Sequence, residues 1–238
     1  MHAMGGPARL VVGGIAIVGL AACRGGPAPP GARGFWFPSE GRIVDLTRPE
    51  GEEARPTTLA TALDGVPGGT TIERLEPGRC IAPLVVLDVR ARAAQAPELV
   101  FAVEDLVEHE GRRGEIPAGS VVVLATGGGQ NSPRTAAAAS RRLHAGFSPA
   151  VVDLLVRQRG VVGIGTDAPA LDSSSAGAPE ATRAAVVQGA WVLTNLARLD
   201  QLVDGRGIVL LVPPLQRSAA AAVRVFAIAP RSVGRGGP

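Results

Sequence analysis

The sequence predicts an α/β domain behind an N-terminal leader. Three observations carry the prediction. Continuous apolar runs rich in β-branched residues, Leu84–Val89 and Ser120–Ala125, have the length and composition of buried strands. Segments with helical spacing, such as Val103–His109 and Glu180–Gln188, alternate with them. Turn signals punctuate the series, among them Ile116-Pro117-Ala118-Gly119. Strands alternating with helices imply one layered domain without an internal boundary.

The elements follow in order. Met1–Arg9 carries His2 and Arg9 and no acid, and the apolar run Leu10–Leu20 comes next. As a helix that run spans about 16 Å, short of the ~30 Å hydrocarbon core, so it reads as a signal segment and not a membrane span. It ends in Leu20-Ala21-Ala22-Cys23. The Gly/Pro-rich stretch to Arg33 suits a tether. Ile43–Leu46 is a short strand, Glu50–Arg55 a charged loop and Leu84–Val89 a buried strand. A helix over Val103–His109 precedes the strand Ser120–Ala125. Gly127–Asn131 is a glycine loop, and Ser132-Pro133 opens a helix that runs to His144 and stops at Gly146. Ser148-Pro149 repeats the device for a helix ending near Gly160. The remainder reads as strand Val161–Thr166, loop Leu171–Gly177, helix Glu180–Gln188, strand Ala190–Leu193, short helix Leu196–Leu202, and strands Ile208–Val212 and Val223–Ala229.

Composition narrows the function. The chain has 238 residues, 46% of them hydrophobic, enough for one sizeable core. All its basic residues are arginine, and the net charge is only +3. The arginines are interleaved with acids and aromatics make up only 3%, which argues against nucleic-acid binding. The two cysteines, Cys23 and Cys80, make no disulfide framework. Cys80 reads as a core thiol more readily than as a nucleophile. His109 and His144 read as structural residues near helix ends. Gly127-Gly128-Gly129 could cradle an anion, but no P-loop pattern follows. No G-x-S-x-G elbow occurs.

Two resemblances follow. Leu20-Ala21-Ala22-Cys23 resembles the lipobox of bacterial lipoproteins, which implies that Cys23 is lipidated and begins the mature chain. Residues 1–22 are then a signal peptide, 23–41 the lipidated cysteine and tether, 42–230 the domain and 231–238 a disordered tail. The implied location is the cell envelope, held to a membrane through lipid.

The second resemblance is to the cyclase family that includes kynurenine formamidase. Arg42-Ile43-Val44-Asp45-Leu46-Thr47-Arg48-Pro49 resembles its opening strand. Gly69-Thr70-Thr71-Ile72-Glu73-Arg74-Leu75 with Ala82–Val89 resembles its G-x-T-I-E-x-L and P-x-V-V-x-D-V block. Ile116–Gly127, Phe147-Ser148-Pro149, Val162–Asp172, Thr194-Asn195-Leu196, Val212–Leu215 and Val223–Ile228 continue the match in order. The implied fold is the swivelling β/β/α domain, a mixed barrel-like sheet with flanking helices. The implied activity is arylformamidase, a metal-dependent amide hydrolysis. The family's zinc or manganese lowers the pKa of bound water toward ~7 and so supplies hydroxide. The family also implies a homo-oligomer.

The family's H-x-G-T-H-x-D loop falls on Thr58–Asp64. Thr58 and Ala62 stand at its two ligand histidines, and Asp64 alone remains as a relic metal ligand or a turn aspartate. The later histidine falls on Thr182 or Arg183, and the glutamate of E-N-L on Thr194. One carboxylate does not replace three or four converging ligands. The sequence therefore predicts no metal cofactor, no catalytic residue and a role in binding a small molecule or protein whose identity it does not reveal. The alternative is a metal-dependent amide or lactone hydrolase with a rearranged site around Asp64.

Overall fold

A computed structural model describes residues 41–48, 55–63, 66–128, 143–202, 206–214 and 217–230, all within the unit Trp36–Pro238. Its core element is a curled nine-stranded sheet. Along the chain the strands are β1 (Gly41–Asp45), β2 (Thr58–Ala60), β3 (Ile81–Asp88), β4 (Val100–Phe101), β5 (Val121–Ala125), β6 (Gly146–Phe147), β7 (Gly163–Thr166), β8 (Trp191–Thr194), β9 (Arg206–Val212), β10 (Ala220–Ala222) and β11 (Arg224–Pro230). The large sheet is ordered β1-β11-β9-β3-β5-β7-β8-β2-β10, and β4 pairs with β6 apart from it.

The middle of the sheet, β3-β5-β7-β8, is parallel, as buried Val/Ile/Leu runs joined by helical crossovers require. Antiparallel strands extend it on both sides. β9 pairs with β3 and β11, β1 pairs with β11, and β2 joins β8 to β10. The described helices are α1 (Arg90–Gln95), α2 (Val103–Arg113), α3 (Pro149–Arg157) and α4 (Glu180–Val187). None is long and apolar enough to cross a membrane.

Strand alternation splits the core in two. Val44, Leu59, Leu84, Val121, Trp191, Leu193, Val209 and Val225 fill the concave side. Val85, Leu87, Val122, Leu124, Ile164 and Val192 point the other way and bury Leu106, Val151, Leu155 and Ala185 of the helices. Local chemistry sets the helix starts. The Ser148 hydroxyl accepts the Val151 N–H at 3.3 Å, with Pro149 in the first turn. Asp105 accepts the Ala102 N–H at 2.8 Å, half of a capping box.

The structure corrects two elements of the sequence reading. Leu196–Leu202 is no helix; only a 3-10 turn forms at Leu199–Gln201. Asn195 and Arg198 adopt φ of 57° and 55°, left-handed values that interrupt helical propagation. Gly146 opens β6 and does not cap a helix, and Leu143, His144 and Ala145 are irregular. A Cβ on Gly146 would lie 2.2 Å from the Ser173 backbone nitrogen, so glycine is required there by close backbone approach. The remainder of that anticipated helix, and the charged loop up to Ala54, lie outside the described residues.

Candidate functional site

The parallel strands β3, β5, β7 and β8 end on one rim, where open α/β sheets place ligands. Their last residues and the loops that follow bring polar groups together. Asp167, directly after β7, is only 5% exposed. Its carboxylate accepts the Thr126 N–H and Thr126 hydroxyl at 2.8 Å each and the Gly127 N–H at 2.9 Å. The Gly128 N–H in turn reaches the Thr126 hydroxyl at 3.2 Å. The start of the glycine loop therefore cradles an anion, and that anion is the chain's own carboxylate.

Arg48 reaches the same rim from the end of β1. Its backbone N–H donates to the Thr57 hydroxyl at 2.7 Å, and its guanidinium to the Leu196 carbonyl at 3.3 Å. Burial lowers the guanidinium pKa, and the Asp167 charge opposes that shift. Thr57, fully buried, donates to the Asn195 carbonyl at 2.8 Å, and the Asn195 amide donates to the Pro56 carbonyl at 3.2 Å. The left-handed turn at Asn195 is thereby locked to the irregular segment that leads into β2. Beside Gly127, Asp88 and Arg90 form a two-point ion pair at 2.6 and 2.9 Å. Hydrogen bonding from Arg90 holds the Asp88 carboxyl below its ordinary value.

The register of β2 against β8 places Thr58 directly opposite Thr194. These are the positions of the first ligand histidine and of the E-N-L glutamate in the cyclase resemblance. They lie 136 residues apart in sequence and become neighbours only through this ladder. The Thr58 hydroxyl donates to the Pro56 carbonyl at 3.1 Å. Ala62 does not join them. The chain is extended from Thr58 to Ala60, and Ala62 lies beyond the strand's far end, where it packs with Leu63 against the helical-side core. A Cβ on Gly69 would fall 2.4 Å from the Ala62 Cβ. Thr182 sits in the first turn of α4, and its hydroxyl donates to Asp172 at 2.6 Å. Asp172 also accepts the Ala181 and Thr182 N–H groups and so caps that helix. Arg183 is exposed.

Asp64 and Cys23 lie outside the described residues. His109 is in the body of α2, where its charge helps depress the Glu110 pKa, and it is not at the helix end expected. His144 precedes β6, and its backbone is tied to Ser173 and Ser174. Among the described residues, no three His, Cys, Asp or Glu side chains converge as a metal site. Cys80 is buried in the concave core, and burial raises its pKa, the behaviour of an inert thiol. Arg48, Thr126 and Asp167 lie inside the segments that resemble the family, where the sequence alone assigns them no role. No spacing rule connects Thr126 with a carboxylate 41 residues later.

Residues 55–173 match the family described as "Putative cyclase". The chain belongs to that family. This cyclase-family chain is 28% identical over 170 residues to an isatin hydrolase of Roseibium aggregatum, across 67% of its own length and 64% of the relative's. The aligned stretch thus spans under two thirds of that relative. Among solved structures, isatin hydrolase A of Ralstonia solanacearum superposes with a TM-score of 0.64 at 22% identity, covering 80% of this chain and 82% of the other. An isatin hydrolase bound to the product analogue thioisatinate gives 0.66 at 22% identity over the same shares. A structure described as a potential metal-dependent hydrolase with cyclase activity gives 0.61 at 17% identity, covering 80% and 98%. These likenesses show that the cyclase-family chain has the family's hydrolase-like fold.

Proposed function

We propose that this is a lipid-anchored envelope protein whose cyclase domain has lost its metal and binds a small molecule without turning it over. One observation carries the reading. Thr58 and Thr194, two positions that the family resemblance assigns to metal ligation, face each other across β2 and β8, and both carry hydroxyls. Neutral threonine hydroxyls are poor ligands for zinc or manganese beside imidazole and carboxylate. Ala62 offers a methyl group packed into the core. The donor set at these positions does not fit the family metal, and no hydrolytic step is derived through one. Arg48, Thr57, Thr126, Asp167 and Asn195, bonded among themselves and to the neighbouring backbone, would fix the shape of a ligand cleft at the strand ends.

The test is metal analysis of purified protein together with isatin and arylformamide hydrolysis, each with and without chelator. The expected result is substoichiometric zinc and manganese and no chelator-sensitive turnover. Stoichiometric metal with turnover that chelator abolishes would establish the hydrolase reading with a rearranged site around Asp64. The anchor is tested separately: Cys23→Ser releases the protein from the membrane fraction, and unchanged retention would remove the lipoprotein reading.

A further inference from the structure

The described helices cover only part of the convex sheet face. Their apolar side chains meet Val85, Leu87, Val122, Leu124, Ile164 and Val192. The same face continues over β1, β11, β9 and the first half of β3, where the register sets out cross-strand rows. One row runs Ile43, Ile228, Ile208, Pro83. The next runs Asp45, Phe226, Leu210, Ile81. Ile43 is 69% exposed, Val212 51% and Ile81 43%, while Pro83, Leu210, Phe226 and Ile228 are half-buried and Ile208 is buried. The charges here are arranged at the margin. Arg224 pairs with Asp45 at 2.8 Å and lies over the Phe226 ring at 5.2 Å. Large apolar side chains exposed together on one sheet face mark an interaction surface in a folded protein.

We infer that this face rests on the lipid surface to which the chain is tethered, an inference that builds on the anchor reading. Two features of the chain choose a bilayer as the occupant. First, the polypeptide joins the domain at Gly41, the first residue of the strand that carries Ile43. Eighteen residue steps separate Cys23 from Gly41, a reach of at most ~65 Å, so a lipid on Cys23 keeps this edge close to the membrane at high effective concentration. Second, Phe35-Trp36-Phe37 lies in that connection and holds three of the seven aromatic residues of the whole chain. Phenylalanine and tryptophan partition to the boundary between headgroups and acyl chains. The Arg224 guanidinium, over the Phe226 ring and paired with Asp45, stays exposed on this face and so can also meet anionic headgroups. Two or more acyl chains on Cys23 hold the chain at the membrane by themselves; the sheet face then sets which side of the domain meets it.

The experiment uses the full chain reconstituted into phosphatidylcholine–phosphatidylglycerol vesicles. A bimane probe is placed at Ile43→Cys or Val212→Cys, with Val107→Cys as control. Val107 is 59% exposed on α2. Brominated lipid is expected to quench the probes at 43 and 212 and to leave the probe at 107 unquenched. Equal quenching at all three positions, or none at 43 and 212, would overturn the inference. So would probe burial that persists without lipid, which would assign the face to a second copy of the chain or another protein. The acyl mass on the Cys23 peptide is read independently. Acylated Cys23 with unquenched probes removes the face alone; quenched probes on an unacylated chain remove the anchor and keep the face.

Discussion

Replacing Asp167 tests whether the rim is held together by one buried carboxylate. In Asp167→Ala the Thr126 N–H, the Thr126 hydroxyl and the Gly127 N–H lose their acceptor together. A hydrogen bond to a charged group contributes ~1.5–3 kcal/mol, and a stranded buried donor costs a further ~1–3 kcal/mol. Water reaches part of the gap and the three bonds are coupled, so the expected loss is about 4 kcal/mol and not their sum. For a domain of this size that corresponds to a fall of roughly 8–16 °C in Tm. Asp167→Asn keeps an acceptor toward Thr126 but turns an amide NH₂ against the Gly127 N–H; about half the loss is expected. Urea unfolding followed by circular dichroism measures both, with an unchanged m-value as the check that the two end states are the same. A cost below ~1 kcal/mol for Asp167→Ala would refute the claim that this carboxylate joins the ends of β5 and β7.

Other predictions concern packing, pH and the ligand positions. Glu110 is bound by Arg159 through two contacts of 2.8 Å and accepts the Ile116 N–H at 3.1 Å. The Arg159 hydrogen bonds hold its folded pKa below the ordinary 4.5, so its stabilisation is present above that value and is lost as pH falls through the lowered one. Glu110→Gln should cost about 2 kcal/mol at neutral pH, and its gap from the wild type should close in acid; a gap constant from pH 7 to pH 3 would contradict this. Gly163→Ala would set a Cβ 2.5 Å from three atoms of the Trp191 ring and should destabilise by ~1–3 kcal/mol, read from the same unfolding curves. Thr58→His with Thr194→Glu places two good ligands on directly opposed strand positions, with Cβ atoms ~5 Å apart. Zinc at a hundredfold excess over Kd should then stabilise the double variant by ~2.7 kcal/mol, seen as a rise in Tm absent from the wild type; no rise would show that the two side chains do not share a point.

Much of the sheet was legible because its central strands are self-declaring. Leu84–Leu87 and Val121–Leu124 are unbroken apolar runs buried on both faces, and only such a strand or a buried helix reads that way. The Ser148-Pro149 start was legible because a cap is a local hydrogen bond. The edges were not. β2 is Thr-Leu-Ala and β10 is Ala-Ala-Ala, too short and too bland for period-two alternation to register. Leu196–Leu202 has helical spacing, but Asn195 and Arg198 take left-handed conformations set by tertiary hydrogen bonds, Thr57 to the Asn195 carbonyl and Arg198 to the Asp45 carbonyl. The candidate site was legible as a set of substitutions at Thr58, Ala62 and Thr194. That Thr58 and Thr194 adjoin while Ala62 does not is a fact of register, which no local pattern encodes.

The pairing of β1 with β11 has a consequence for biosynthesis. Among the described residues, the first strand finds its one sheet partner in the last, Gly41 opposite Pro230. A nascent chain emerging from the ribosome cannot complete this sheet until residues 224–230 have been made. Contacts so distant in sequence form slowly, because the loop must close before any pairing stabilises it. The β1–β11 pair therefore forms late, and until it does the first strand stands open to chaperones and proteases.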